Sequence, residues 1–203
     1  MRIGTSEKLI TPEVGIELCG YVARIQPSVG CHDDLHARVL YAESGMEKIV
    51  WIHCDLIGFS NTVANSIRKS VAEALVLKAG NVFLSATHTH AGPATVYLRN
   101  CGEIDPGYMG FLEKAIVDAA LEAVQKLEKT TLCFSESKVE GAAIDRRQTS
   151  PNSNVDHRLP VLGFRRDDGS FKAIIANYAM HNVGYTHENR LISADIAGFA
   201  AKM

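Results

Sequence analysis

The chain has 203 residues, of which 46% are hydrophobic and 22% are charged, and its formal net charge is -2. This composition is typical of one soluble globular domain, and the small net charge argues against binding to nucleic acid or to an anionic membrane surface. No apolar run is long enough to cross a bilayer, and the five cysteines form no Cys-x-x-Cys pair that would indicate a thiolate zinc site.

The N-terminal segment, residues 1–34, shows few periodic signals. Its short apolar steps are separated by glycines and prolines, so we expect a loop-rich opening with one or two short strands. A long loop in a compact domain often serves function, which makes this one a candidate wall of a pocket. The segment lacks the basic-then-apolar pattern of a secretory signal, which predicts a cytoplasmic protein, or a secreted or periplasmic one whose signal has been removed.

The next part of the chain predicts a hairpin and a helix. Alternating apolar residues indicate a strand over 35–42 and a second over 48–54, which ends at Asp55. A helix follows, with Ser60 or Asn61 as its N-cap and apolar residues four positions apart on one face.

The second half of the chain predicts one long helix and several strands. Apolar residues recur on one stripe from 112 to 127 and indicate the helix, and a strand follows over 130–137. Two strands, 159–165 and 171–178, flank a turn of two aspartates and a glycine, which is a strong hairpin signal. The predicted fold class is α/β, with mixed β-sheets that contain hairpins and are flanked by helices. A helix that starts at Asp195 has no stop signal, so we expect an N-terminal portion of a larger catalytic domain.

The clearest chemical motif is the segment 84–93, where an apolar run passes into Thr-His-Thr-His-Ala-Gly-Pro. The run predicts a strand that leaves the core and stops at the Gly-Pro pair. Because side chains alternate along an extended backbone, His88 and His90 are expected to point to the same side. Neutral imidazole is a common zinc ligand, so the pair is a candidate metal site. Two solvated histidines on a polar loop are the alternative, and the spacing leaves both open.

A second histidine at a strand end favours the metal site. A catalytic zinc usually takes three protein ligands and keeps one position open. His181 follows an apolar strand as His88 does, and neighbouring strands would bring the two together. His187 is a third candidate, although its neighbours are typical of an exposed loop. His53 lies within a buried strand and is more typical of a core histidine.

Three charged residues at element boundaries complete the candidates. Arg146 opens a polar loop, where a guanidinium either holds a carboxylate or carbonyl oxygen or is simply solvated. Asp55 and Asp195 are candidates to orient a ligand histidine through a hydrogen bond, although Asp195 is equally placed to be only a helix cap.

These motifs occur in an order that resembles the neutral/alkaline non-lysosomal ceramidases. The core of the segment 84–93 is similar to the Thr-His-Thr-His-(Ser/Ala)-Gly-Pro signature of that family. The other similar positions are, in chain order, the Gly-Tyr element at 16–21, Asp55 at the end of the second strand, the Gly-x-x-Ile-Asn-Arg segment at 141–146 with Asp145 in place of Asn, the Phe-Ala-x-His segment at 178–181, and the Ser-x-Asp stretch at 191–195.

The resemblance implies that residues 1–203 are the N-terminal part of a zinc-dependent amidohydrolase domain that cleaves ceramide to sphingosine and a fatty acid. By the same resemblance, His88 and His181 correspond to zinc ligands, whereas His90 and Arg146 correspond to groups that bind or polarise the oxygen of the scissile amide. The remaining zinc ligands of the family, a Glu and a Tyr, are expected beyond Met203.

Two departures from the family keep other functions open. Asn182 stands where the family usually has Pro after the zinc histidine, and the loop over 95–106 is short and not obviously apolar. The alternatives are a zinc hydrolase of a small non-lipid amide or ester on the same scaffold, and a catalytically silent binding module. The expected partner is a small-molecule or lipid N-acyl substrate and not a nucleic acid, while the acyl chain length and the oligomeric state stay open.

Overall fold

The computed structural model describes residues 1–147 and 154–202, so the middle of the polar loop after Arg146 lies outside the described residues. The elements are, in chain order, β1 Arg2–Leu9, β2 Gly30–Cys31, β3 His36–Ser44, β4 Glu47–Cys54, α1 Asn61–Leu75, a 3-10 turn Ala79–Asn81, β5 Val82–Ala86, α2 Pro106–Gln125, β6 Glu128–Lys129, β7 Thr131–Lys138, β8 Arg158–Arg165, β9 Phe171–Ala176, β10 Leu191–Ile192 and α3 Asp195–Ala201.

A five-stranded sheet forms the centre of the molecule, in the order β5-β4-β3-β1-β6. β3 and β4 pair as the predicted antiparallel hairpin, in which Ser44 faces Glu47 and Gly45 takes a positive φ of 61° in the turn. β4 and β5 are parallel and are joined through α1, so both strands end at the same edge of the sheet. In open α/β sheets, ligands bind outside the carboxyl ends of parallel strands.

Helices α1 and α2 cover one face of this sheet. Ser60 is the N-cap of α1, since its hydroxyl accepts a hydrogen bond from the Val63 amide at 3.2 Å. Asp105 caps α2 in the same way, and Leu112 and Ile116 of that helix are fully buried. The two predicted helices are therefore confirmed.

The first strand is the main correction to the sequence analysis. Where a loop-rich opening with one or two short strands was expected, the eight-residue β1 pairs along its whole length with β3. Its helix-facing positions are Gly4 and Ser6 instead of apolar residues. A Cβ on Gly4 would lie 1.8 Å from the Ala123 carbonyl oxygen, and the Ser6 hydroxyl donates to the Ala119 carbonyl at 2.5 Å. Because β1 packs closely against α2, these positions are small or polar. The sequence of β1 therefore lacks the alternation of apolar residues that indicates a strand.

A second sheet, β7-β8-β9, covers the other face of the central sheet. Phe164 of β8 packs there against Ile3, Leu40 and Ala42. Glu128 also joins the two sheets, because its carboxylate lies 2.6 Å from Arg166 Nε and 2.5 Å from Lys172 Nζ. The predicted hairpin of β8 and β9 is confirmed, and so is the α/β class with mixed sheets. No helix in the described part of the chain is long and apolar enough to cross a membrane.

Candidate metal centre

Three histidines converge at the edge where β4 and β5 end. His90 Nε2 lies 3.2 Å from His88 Nε2 and 3.2 Å from His181 Nε2. Each ring offers one nitrogen that could bind a metal ion, and these three nitrogens lie within 4.8 Å of one another. Imidazole nitrogens bound tetrahedrally to one zinc at about 2.0–2.1 Å lie about 3.4 Å from each other. The two 3.2 Å contacts of His90 are close to this spacing, and the nitrogens of His88 and His181 lie within 4.8 Å of each other, so the cluster is a candidate to hold a metal ion.

His88 and His90 reach the same side, as expected, but by a different route from the one the sequence suggested. β5 ends at Ala86, and His88 adopts a left-handed φ of 63°, so the pair does not continue an extended strand. Thr89 between them is fully buried, and its hydroxyl donates to the Ser193 carbonyl at 2.7 Å. Because the Thr89 side chain points into the protein, the neighbouring imidazoles of His88 and His90 point outward.

A backbone contact fixes the tautomer of His88. Its Nδ1 lies 2.8 Å from the carbonyl oxygen of Ile57, and a carbonyl can only accept, so Nδ1 carries the hydrogen. The lone pair of His88 is then on Nε2 and faces the cluster, as a metal ligand requires. The 3.2 Å contact between the two Nε2 atoms is a hydrogen bond only when His90 carries its hydrogen on Nε2. With these tautomers His88 offers a lone pair to the cluster and His90 offers an N–H.

The surroundings lower the pKa of two of these imidazoles, His90 and His181. Burial, followed by the charges of His88, His181, Arg24 and Arg146, lowers the pKa of His90 to about 4. Burial and then Arg146 and His88 also lower the pKa of His181. Neutral rings offer the lone pairs that a metal needs, so the electrostatics agree with the geometry.

The first turn of α3 holds the backbone that follows His181. The buried Asn182 side chain makes two hydrogen bonds to the backbone of residues 194–197, at 3.2 Å and 3.0 Å. Asp195 accepts the Gly184 amide hydrogen on both carboxylate oxygens at 2.9 Å. The side chain of Asn182 makes contacts that the family's usual Pro lacks. Asp195 supports the loop that carries His181 and makes no direct hydrogen bond to the ring.

Asp55 makes its hydrogen bonds to residues outside the histidine cluster. The residue is 0% exposed, and its Oδ2 accepts from Arg38 Nη1 at 2.8 Å and from the backbone N–H of His36 at 3.0 Å. The atom that orients His88 is the backbone carbonyl of Ile57, two residues further along the chain. The partner of His88 Nδ1 is therefore a main-chain carbonyl and not the Asp55 carboxylate that the sequence suggested.

Arg146 is exposed and lies close enough for its charge to act on His181 and His90. It borders a cavity of about 430 Å³ that Ile144 and Ala179 also line. His187, the third candidate ligand from the sequence, is exposed, and its ring lies 6.5 Å from the Tyr21 ring instead of joining the cluster.

The loop between β1 and β2, which lies in the segment predicted as a candidate wall of a pocket, borders the site through the Gly-Tyr element. Gly20 takes a φ of +114°, and a Cβ there would lie 2.5 Å from His90 Cγ. The Tyr21 ring meets His90 edge-on, with ring centres 5.1 Å apart. The glycine is required both by its backbone conformation and by the closeness of His90.

His53 lies outside the cluster as well. Its Nδ1 is 2.8 Å from the Ser85 hydroxyl within the central sheet, and burial lowers its pKa. This agrees with the interpretation of His53 as a histidine of the sheet interior.

Comparison with known proteins places these features in one family. A family profile described as neutral/alkaline non-lysosomal ceramidase, N-terminal, matches residues 1–203. The chain is 26% identical to the neutral ceramidase of Pseudomonas aeruginosa over 98% of this chain and 33% of that protein. It is 25% identical to the neutral ceramidase of Mycobacterium tuberculosis over 91% of this chain and 32% of that protein.

Solved structures agree in fold. A structure of ceramidase complexed with C2 superposes with a TM-score of 0.88 at 23% identity, over 98% of this chain and 34% of that one. The crystal structure of the neutral ceramidase from Pseudomonas aeruginosa gives a TM-score of 0.82 at 25% identity, over 98% and 35%. The chain spans about a third of the length of the relatives that it matches. It belongs to the neutral/alkaline non-lysosomal ceramidase family and corresponds to the N-terminal region of that family.

Proposed function

We propose that residues 1–203 form the N-terminal part of a zinc-dependent amidohydrolase domain that cleaves the N-acyl bond of ceramide to sphingosine and a fatty acid. The observation that carries the proposal is the meeting of three imidazoles beside a loop arginine, with His90 Nε2 lying 3.2 Å from the Nε2 atom of His88 and 3.2 Å from that of His181. The family membership and the ceramidase names of the relatives support the choice of substrate.

His88 and His181 are the proposed zinc ligands. The lone pair of His88 Nε2 faces the cluster because its Nδ1–H is held by the Ile57 carbonyl. The loop behind His181 is held by Asp195 through the Gly184 amide. The His88 ring is thus held directly, and His181 only through the backbone of its loop, by groups outside the proposed ligand set.

His90 and Arg146 are the proposed groups that stabilise the reacting amide. When bound, zinc supplies a water of lowered pKa and polarisation of the amide carbonyl. The Nε2–H of His90 and the guanidinium of Arg146 are both donors, and donors aimed at a developing oxyanion lower the barrier to acyl transfer. Because its pKa lies well below neutrality, His90 donates as a neutral ring at pH 7.

Two features of the surface favour different substrates. Tyr97 and Leu98, in the loop over 95–106, are exposed and offer apolar area to a lipid chain. By contrast, the cavity beside Arg146 is also lined by Asp145, Arg147 and Asp156, which suits a small polar amide or ester. Hydrolysis of the smaller substrate on the same scaffold is therefore the second candidate function.

The test compares His88→Ala with His187→Ala in the full-length protein. Both remove a histidine near the site, but only His88 belongs to the cluster. We expect His88→Ala to lose zinc and the hydrolysis of ceramide, and His187→Ala to keep both. Zinc content by elemental analysis and product release from ceramide and from short N-acyl substrates are the measurements.

Each result of this test has a definite meaning. Zinc and amidase activity that survive His88→Ala would overturn the proposal. Turnover of short N-acyl compounds without turnover of ceramide would select the second candidate. A wild-type protein that binds zinc and turns over neither substrate class would indicate a catalytically silent binding module.

A further inference from the structure

Arg24 is a buried cation in the wall of the histidine site. It lies in the long loop between β1 and β2, and its exposed fraction is 7%. Its contacts in the described part of the chain are with backbone carbonyls and not with a carboxylate. Nη1 lies 2.7 Å from the His90 oxygen and 3.3 Å from the Cys19 oxygen, and Nη2 lies 3.4 Å from the Thr186 oxygen.

These three carbonyls belong to the three segments that build the site. Cys19 precedes the Gly-Tyr wall, His90 is part of the cluster, and Thr186 is in the loop that follows His181. His90 and His181 are 91 residues apart in sequence, so their relative position depends on contacts of this kind. One planar guanidinium with several N–H donors can satisfy three acceptors at once.

Tyr21 extends the same connection. Its ring lies under the Arg24 guanidinium, 4.9 Å from the guanidinium carbon to the ring centre, and meets His90 edge-on. Its hydroxyl donates to the Tyr185 carbonyl at 2.5 Å. Arg24 and Tyr21 therefore contact both the His90 segment and the residues directly before Thr186.

Burying a guanidinium without a carboxylate is costly, since an isolated charge taken out of water loses several kcal/mol of hydration. Three carbonyl contacts and one aromatic face recover part of that loss, yet Arg24 Nε is buried without a partner among the described residues. An apolar side chain would fill the space at lower cost. The burial of Arg24 is explained if its contacts with the three carbonyls have a function of their own.

We propose that Arg24 is a positioning residue that fixes His90 and the loop of His181 relative to each other, and so sets the geometry in which the histidine cluster holds its metal ion. The part that concerns the metal rests on the function proposed above. The part that concerns the position of the two segments stands on the contacts of Arg24 alone.

The test replaces Arg24 by methionine, which keeps an unbranched side chain as far as the position of Nε and removes the donors. Arg190→Met is the matched control, because Arg190 Nε also joins the same two loops by donating to a carbonyl, that of Pro27 at 2.9 Å, without contacting a histidine. Cobalt(II) is titrated into the metal-free, full-length protein and followed by its visible absorption. We expect a dissociation constant raised about tenfold or more in Arg24→Met and changed less than about twofold in Arg190→Met.

The direction of this change separates geometry from charge. Removing a positive charge near a cation site would by itself tighten cobalt binding, so weaker binding reports a lost arrangement of ligands. Arg24→Lys retains the charge but places one ammonium where three carbonyls need donors, and we expect it to leave the dissociation constant raised. Full recovery of wild-type affinity in Arg24→Lys, or wild-type affinity in Arg24→Met, would overturn the proposal.

Hydrogen exchange of the metal-free protein tests the positioning without any metal. We expect faster exchange over 88–93 and 181–187 in Arg24→Met or, should that variant not fold, in Arg24→Lys, with no change in β3 and β4. Exchange equal to wild type, or raised evenly through the sheet, would contradict the inference. A wild-type protein that binds no cobalt would instead refute the proposed metal function, and the exchange result would still decide the role of Arg24.

Discussion

Two polar regions lie close to the ends of β4 and β5, and they differ in whether their charged groups are paired with opposite charges. In the first, the fully buried Asp55 is paired with Arg38 at 2.8 Å and with the backbone amide of His36. Arg38 also contacts Glu7 at 3.0 Å, so the cation is shared between two carboxylates. Opposite charges are matched, and the region joins β1, β3 and the end of β4.

The histidine cluster lacks such matching. Its members are three imidazoles whose nitrogens face one another. Burial and the other two histidines lower the pKa of His90, and the nearby cations Arg24 and Arg146 lower it further. Positive charge beside uncharged donors stabilises an anion that forms there, such as the oxyanion of an amide under attack. From this comparison we expect the matched pair to contribute mainly to stability and the histidine cluster to contribute mainly to the proposed binding and chemistry.

Replacing His90 by alanine gives the largest expected effect on the chemical side of this comparison. If His90 donates to the substrate and does not bind the ion, the variant keeps its zinc and loses about 10²–10³-fold in kcat, as for removal of one oxyanion donor. Zinc content and steady-state kinetics are measured together, with His187→Ala as the control. Loss of the metal in His90→Ala would show that His90 is a third ligand and would contradict the assignment.

Replacing Asp55 by alanine gives the largest expected effect on the structural side. The change leaves Arg38 with only its exposed partner Glu7 and leaves the His36 amide without its acceptor. We expect the free energy of unfolding to fall by about 2–3 kcal/mol, below the full cost of breaking a buried pair because Arg38 is partly exposed. Chemical denaturation measures this loss.

Cobalt affinity of the folded Asp55→Ala protein distinguishes the two regions. An unchanged dissociation constant is expected, since the Ile57 carbonyl and not Asp55 holds the His88 ring. Weaker cobalt binding in a stable Asp55→Ala protein would restore the role for Asp55 that its position in the sequence suggested.

The elements that the sequence predicts correctly are those that bury one apolar face. α1, α2 and the β3–β4 hairpin have such faces, and all three are present near their expected bounds. β1 was missed because Gly4 and Ser6 face α2, where any larger side chain would collide with the helix backbone. Contact at that distance depends on the packed structure, so no pattern within the strand itself indicates it.

The residues of the candidate site also fall into those that the sequence indicates and those that it does not. His88 and His181 are visible in the sequence because each follows an apolar strand, and the structure brings both together with His90. His187 was a third candidate whose neighbours indicated an exposed loop, and the structure places it outside the cluster. Arg24 left no signal at all, because its partners are main-chain carbonyls that any sequence provides.

Gly20→Ala tests the closeness of the wall to His90, with a smaller expected effect. Gly15→Ala is the control, since Gly15 has a similar φ of +105° but open space where its Cβ would lie. Both variants carry backbone strain of about 1–2 kcal/mol, and only Gly20→Ala also displaces the His90 ring. We expect a lower kcat in Gly20→Ala alone, measured beside the unfolding free energies of both. Equal kcat in the two variants would show that His90 tolerates displacement.

The smallest expected effect is a pH dependence of the metal-free protein. The folded protein holds the pKa of His90 near 4, whereas an unfolded histidine titrates at about 6.5. Between these values the unfolded chain binds the extra proton, so the free energy of unfolding rises with pH through this window and levels off above it. We expect the free energy of unfolding to increase by about 1 kcal/mol between pH 5 and pH 7 because of His90, after allowing for solvent screening.

The control is the His90→Ala protein. His53 and His181 act in the same direction as His90, but they are present in both wild type and His90→Ala, so the difference between the two proteins isolates His90. Urea midpoints at the two pH values measure it, and an equal pH dependence in both proteins would show that His90 does not titrate as its burial among cations requires.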